Sequence, residues 1–246
     1  MLGRSTGIGW ISRHGCWSAS GAFALLLCAI YLPSVIFVYA VIGDAEQIYF
    51  KVNSFIGHEA WHLARIARPV GALFVNIPLL FLDDLSDFRY GRMFSLFTVV
   101  LVGCVMIRVL VTRLWIRPVI AMIIATGTFC LPGFLFTIMN PTAWSMHLLS
   151  LALGVTGYAC LARSHGGSLS LSHSLRTLNV AQVWQNYFGA GRRSGVVTAL
   201  LLFELSMFCY PPNCLIVLVF PVAAVLFSPL PVRFRESIFL RDFGFV

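Results

Sequence analysis

Charge is what this chain has least of. Charged residues make up 11% of its 246 positions, against about 25% in an ordinary soluble domain. Lysine is almost missing: of 17 basic residues, all but Lys51 are arginine. The seven cysteines form no Cys-x-x-Cys pair. No phosphate-binding loop, nucleophile elbow or internal repeat occurs. These absences exclude a disordered chain, a coiled coil and a small disulfide scaffold. What is abundant is apolar bulk: 59% hydrophobic residues, 21 of them Phe, with a mean hydropathy of +0.88. A soluble core of this size cannot hide that much, so the solvent of this protein is largely lipid.

The net charge of +8 resembles a nucleic-acid signal until the arginines are placed. They fall between apolar runs, the pattern of membrane topology, so no nucleic-acid partner is expected. The first apolar run, residues 20–42, is too long for a signal-peptide core and no small-residue cleavage site follows it. It is predicted to be a retained transmembrane helix. Further runs are Met93–Val111, Val119–Met139, Ala143–Ala162, Ser194–Tyr210 and Leu215–Phe227. The last two are short for a span of about 20 residues. Pro132 and Pro221 are predicted to kink their helices. Trp17, Trp115 and Trp144 stand at run ends, as interfacial anchors do. The cysteines lie mostly within apolar runs and read as small buried hydrophobes. Cys209 and Cys214 are expected as separate thiols, with pairing in an oxidising space as the alternative.

The expected fold is therefore all-α, a polytopic transmembrane bundle of about six spans. The segments are a cytoplasmic N-terminus (1–19), helix 1 (20–42), an extracytoplasmic loop with interfacial helices (43–92), helices 2–4 (93–162), a cytoplasmic loop (163–193), helices 5–6 (194–228) and a cytoplasmic tail (229–246). Arg4, Arg13, Arg113, Arg117, Arg163, Arg176, Arg192, Arg193, Arg233, Arg235 and Arg241 all fall on one side in this scheme. The opposite turns, Asn140–Thr142 and Pro211–Cys214, carry no charge. Both termini are then cytoplasmic.

The 43–92 loop breaks the pattern. It holds six of the nine acidic residues: Asp44, Glu46, Glu59, Asp83, Asp84 and Asp87. Within it, residues 51–68 alternate with a helical period. Val52, Phe55, Ile56, Ala60, Leu63 and Ala67 line one face, and Lys51, His58, His62 and Arg65 the other, as in a helix lying in the interface. Pro69 ends it. Val70–Leu82 is apolar but too short to span, and reads as a second interfacial or re-entrant segment. Asp44 and Glu46 thus sit after the first span, and Asp83-Asp84 shortly before the second. Carboxylates at such a surface can act as a general base or hold a divalent metal on a phosphate-bearing substrate. Individually they read equally well as solvated groups at helix ends.

Two other features carry chemistry. His58-Glu59-Ala60-Trp61-His62 matches the His-Glu-x-x-His pattern, in which two histidines one helical turn apart bind zinc and the glutamate activates water. The loop offers little room for a protease domain, and the plainer reading is the polar face of the interfacial helix. Glu204 lies within the fifth run, where an ionisable residue is a functional hypothesis by default, and Arg108 in the second run is a candidate partner.

Several short strings resemble the GT-C membrane glycosyltransferases, and among them the O-antigen-modifying glucosyltransferase family. These are the acidic residues after the first span, the string Ala67-Arg68-Pro69-Val70-Gly71-Ala72-Leu73, and Tyr210-Pro211-Pro212-Asn213 opening a later span. The similarity covers roughly residues 20–112 and 195–245. It implies an enzyme of the bacterial-type inner membrane that moves a sugar from a polyprenyl-phosphate donor to a cell-surface glycan or lipid-linked acceptor. Asp44, then Glu46, would be the catalytic base. Arg68 would hold the donor phosphate, Asp83 or Asp84 would position acceptor or metal, and Tyr210 would join the substrate site. No organic cofactor is implied, and the metal requirement stays open. Such enzymes are longer, so the resemblance also implies that this chain is their N-terminal part. Two rival readings stand beside it: a non-enzymatic transporter, flippase or accessory subunit for lipid-linked sugars, with Glu204 and Arg108 lining its path, and a zinc metallopeptidase of the membrane.

Overall fold

The computed structural model describes residues 5–36, 68–74, 87–131, 144–164 and 193–229. Among the described residues all regular structure is helical. The elements are α1 (Ser5–Ile36), α2 (Pro69–Phe74), α3 (Phe88–Thr112), α4 (Pro118–Phe129), α5 (Trp144–Ser164), α6 (Arg193–Cys209), α7 (Pro211–Cys214) and α8 (Val219–Phe227), with a single 3₁₀ turn, Leu215–Leu218, between α7 and α8. Among the described residues, three stretches are long and apolar enough to cross a membrane: Gly15–Ile36, Arg89–Thr112 and Met146–Ser164. Pro118–Phe129, Ser194–Cys209 and Pro212–Phe227 are shorter apolar helices.

The outside of the bundle is itself apolar. Leu25, Phe97, Ile123, Leu201 and Leu226 are all exposed, Leu25 to 75%. Water would penalise a continuous surface of this kind, whereas hydrocarbon does not.

The helices pack in two groups. In the first, α1 lies against both α3 and α4. Phe23 is fully buried at its centre and meets Phe129 of α4 with ring centroids 6.1 Å apart. Phe23 also occupies the space beside Gly103, where any side chain on α3 would collide with its ring. The Tyr31 hydroxyl donates to the Phe129 carbonyl at 2.7 Å, capping the end of α4. In the second group, α5 and α6 form the most extensive pairing, and the α7–α8 segment closes over them. The rings of Tyr158 and Phe220 stack at 4.1 Å, nearly parallel at 5°. Contacts between α3 and α5 join the two groups.

The structure differs from the sequence expectations at several boundaries. The first helix begins at Ser5 rather than near residue 20. Hydropathy reports where a helix enters lipid; backbone hydrogen bonding does not stop there. The described part of α4 ends at Phe129, so the expected kink at Pro132 lies outside the described residues. Pro221 falls in the first turn of α8, just after the 3₁₀ turn Leu215–Leu218, within the helical run Pro212–Phe227. All seven cysteines are free thiols, Cys209 and Cys214 among them.

Between α3 and α4 the chain turns at Trp115, whose φ of 60° is the left-handed conformation. For a bulky residue this costs about 1–2 kcal/mol. The carbonyls of Val109 and Leu110 accept the N–H groups of Leu114 (3.4 Å) and Ile116 (3.1 Å), so the end of α3 keeps its partners.

Candidate functional site

The polar side chains of the second group gather at one end of it. Tyr210 links α6 to α7 in an extended conformation (φ −156°, ψ 96°), which the following Pro211 favours. Its N–H still bonds to the Ser206 carbonyl at 3.0 Å. Its carbonyl accepts from the Ser150 hydroxyl at 2.9 Å and from the Asn213 N–H at 3.1 Å. Tyr210 is thus held by α5, α6 and α7 together.

Ser150 and Ser206 are fully buried and clasp α5 to α6. Their hydroxyls lie 3.1 Å apart, and Ser206 Oγ donates to the Ser150 carbonyl at 2.8 Å. Ser150 Oγ lies 3.0 Å from the Ser206 carbonyl. A hydroxyl has one proton to give, so Ser150 shares it among the Ser206 carbonyl, the Ser206 hydroxyl and the Tyr210 carbonyl.

One turn before Ser150, His147 packs its ring on Tyr210 with centroids 4.0 Å apart. Asn213 fixes this histidine. Its Nδ2 donates to the His147 carbonyl at 3.1 Å and lies 3.3 Å from His147 Nδ1. A backbone carbonyl can only accept, so the amide nitrogen, not its oxygen, must face it. The same nitrogen then makes Nδ1 an acceptor and leaves the ring proton on Nε2. His147 is held as a neutral imidazole with an Nε2–H donor.

Arg68 reaches this cluster from a distant part of the chain. Its guanidinium carbon lies 4.7 Å from the centroid of the Tyr210 ring. Pro69 follows as the first residue of α2, and a residue before proline favours extended backbone. Gly71 lets α2 approach. A Cβ there would stand 2.6 Å from the Cys209 carbonyl and 2.8 Å from Met146 Sδ. With any other residue, α2 and Arg68 with it would be pushed off the ends of α5 and α6. A guanidinium over an aromatic ring can still offer N–H donors to a carboxylate or phosphate, which is the chemistry the Arg68–Tyr210–His147 group makes available.

Of the residues singled out from sequence, the structure brings Arg68 and Tyr210 together. Asp44, Glu46, Asp83 and Asp84 lie outside the described residues, as do His58, Glu59 and His62. Among the described residues no three His, Cys, Asp or Glu side chains form a group able to hold a metal. Arg108 and Glu204 do not pair. Both are exposed.

His147, Asn213, Ser150 and Ser206 escaped the sequence reading. The signal was present: His147 and Ser150 stand one turn apart inside an apolar run, where polar groups need partners. Arg92 escaped as well. It is fully buried in α3, with Nη1 donating to the Ser34 carbonyl at the end of α1 (3.0 Å).

These helices define a helical bundle with an apolar exterior and one polar cluster at a helix end. No family model, curated protein or solved structure matches the chain.

Proposed function

We propose that this chain is an integral membrane glycosyltransferase of the GT-C kind, or the N-terminal part of one. It would transfer a sugar from a polyprenyl-phosphate donor to a cell-surface glycan or lipid-linked acceptor. In this reading the six apolar segments all span a bacterial-type inner membrane with both termini in the cytoplasm, as the eleven arginines on one side favour. The loop of residues 43–92 and the Tyr210 end of α6 then share the outer face.

The observation that carries the reading is the Arg68 guanidinium lying on Tyr210 beside His147. Arg68 and Tyr210 come from two separate strings that each resemble the family, and they meet in a cluster suited to an oxyanion. In the reaction the acceptor oxygen attacks the anomeric carbon, the bond from that carbon to the phosphate oxygen breaks, and the lipid phosphate leaves as an anion. The hydroxyl proton passes to Asp44, with Glu46 second in line. Arg68 and the His147 Nε2–H stabilise the charge on the departing phosphate. Asp83 and Asp84 position the acceptor or a metal.

The test is binding of a polyprenyl-phosphate sugar to the purified protein in lipid nanodiscs. Arg68→Ala is expected to weaken binding at least tenfold, about one 1.4 kcal/mol step, with helicity unchanged. Arg68→Lys should recover only part of it, since lysine lacks the planar fork. Unchanged affinity in Arg68→Ala overturns the reading. Asp44→Asn should abolish transfer while sparing donor binding.

A further inference from the structure

Two opposite charges stand on the outside of the bundle where lipid would surround them. Arg108 projects from the last turns of α3 and Glu204 from the second half of α6, and both are exposed. Toward the membrane interior the exposed residues beside them are apolar, Leu101 and Val105 on α3 and Leu200, Leu201, Leu205 and Phe208 on α6, whereas the exposed Thr112 and Arg113 lie one turn from Arg108 at the helix end. Ionisable side chains in such segments normally face the bundle interior or pair with one another. Here α5 packs on both α3 and α6, and the two charges do not meet within one chain.

Their depths match across two chains. Arg108 is four residues from the end of α3 at Thr112, about 6 Å at 1.5 Å per residue. Glu204 is eleven residues from the start of α6 at Arg193, about 16 Å by the same rise. With six spans, α3 and α6 run in opposite senses and both of these ends lie at the cytoplasmic face. The two Cα atoms then differ in depth by about 10 Å. Long side chains on a helix lie over the turn N-terminal to their own Cα. This direction carries Arg108 toward the outer face and Glu204 toward the inner one. One turn each, about 5.4 Å, closes the gap.

We propose that two copies of this chain associate in the membrane through the Arg108 guanidinium of one and the Glu204 carboxylate of the other. The depth argument rests on the six-span reading given above. A second copy is the fitting occupant because the chain supplies both halves of the pair at complementary depth and, among the described residues, the two form no ion pair within one chain. The contact joins unlike faces, the α3 face of one copy and the α6 face of the next.

The experiment uses the full chain in native membranes, in a background with the seven cysteines replaced. Two differently tagged copies are co-expressed, one carrying Val105→Cys and the other Leu200→Cys, exposed positions one turn from the charges and each seven residues from the cytoplasmic end of its helix, and oxidised. A disulfide-linked product bearing both tags is expected, and it should be at least tenfold more abundant than that from an Ile123→Cys and Leu200→Cys pairing. In a wild-type background, Arg108→Glu and Glu204→Arg should each reduce co-purification of the two tags about tenfold, and both changes in one chain should restore it. Should the reversed charges block insertion, Arg108→Gln and Glu204→Gln each weaken association, and the double variant is no weaker than either single one. No cross-link, no restoration and additive Gln variants would overturn the proposal. So would a cross-link from these positions to a different protein. Cysteines at Arg113 and Arg193, labelled with a membrane-impermeant reagent, test the topology separately. Labelling from opposite sides sinks the six-span reading, whereas labelling from one side without cross-linking sinks the pairing alone.

Discussion

The two halves of the bundle are held by different means. Around α1, α3 and α4 the contacts are mainly of shape, Phe23 against Phe129 and Gly103, with two separate interhelical hydrogen bonds, from Tyr31 to the Phe129 carbonyl and from Arg92 to the Ser34 carbonyl. Around α5, α6 and α7 the apolar packing is threaded by a polar network of Ser150, Ser206, His147, Asn213 and Tyr210. In lipid, burying an apolar side chain between helices gains little from solvent release, and close packing with interhelical hydrogen bonds does more. Shape packing is tolerant of small shifts along a helix. A hydrogen-bond network is not, since each donor has few acceptors in reach. The second half therefore holds a fixed register, and the Arg68–Tyr210–His147 cluster is built there.

This contrast can be broken from either side. The largest effect is expected in the first half: Phe23→Ala leaves a cavity between α1, α3 and α4 and should cost about 2 kcal/mol through lost packing contacts, without the solvent-transfer part of the cost in a soluble core, read as lower resistance to unfolding in mild detergent. Donor binding at Arg68 should survive in the fraction that remains folded. Gly71→Leu acts in the opposite way. It should displace α2 and reduce donor binding as far as Arg68→Ala does, at least tenfold, while the unfolding midpoint of the α5–α6 pair moves little. If Gly71→Leu binds normally, α2 does not place Arg68.

Smaller effects sharpen the comparison. Ser150→Ala and Ser206→Ala should each destabilise by about 0.6 kcal/mol, with an upper bound near 1.7 kcal/mol. The double variant should cost less than the sum, because the two hydroxyls share partners. Additive losses would mean that the clasp is not a unit. In ¹⁵N spectra, His147 should show an unprotonated Nδ1 and a protonated Nε2, and Asn213→Leu should release that tautomer preference. The smallest change is Trp115→Gly, which relieves the left-handed strain and should stabilise the turn by less than about 1 kcal/mol, offset by loss of an interfacial anchor.

The helices of the bundle were largely legible in advance. The runs expected at 93–111, 143–162 and 194–210 lie within a few residues of α3, α5 and α6, because sustained apolar composition in lipid leaves the backbone no alternative to a helix. The start of α1 at Ser5 was not legible, since hydropathy marks the lipid boundary alone. Within the site, Arg68 and Tyr210 were each visible as members of short strings, but nothing in the chain said that they touch. His147 and Asn213 were less visible still. A single polar residue in an apolar run announces only that it needs a partner, and the partner sits on another helix.

Composition and patterning alone therefore set the class of this molecule, a helical bundle with an apolar exterior, because the cost of an unpaired backbone group in hydrocarbon is larger than any local preference. Which side chains meet was settled by tertiary packing. Gly71 lets α2 settle on the ends of α5 and α6, and so a guanidinium from one end of the chain comes to lie on a tyrosine near the other. Close approach of backbones depends on which surfaces are small enough to touch, and that is a property of two segments together, not of either one.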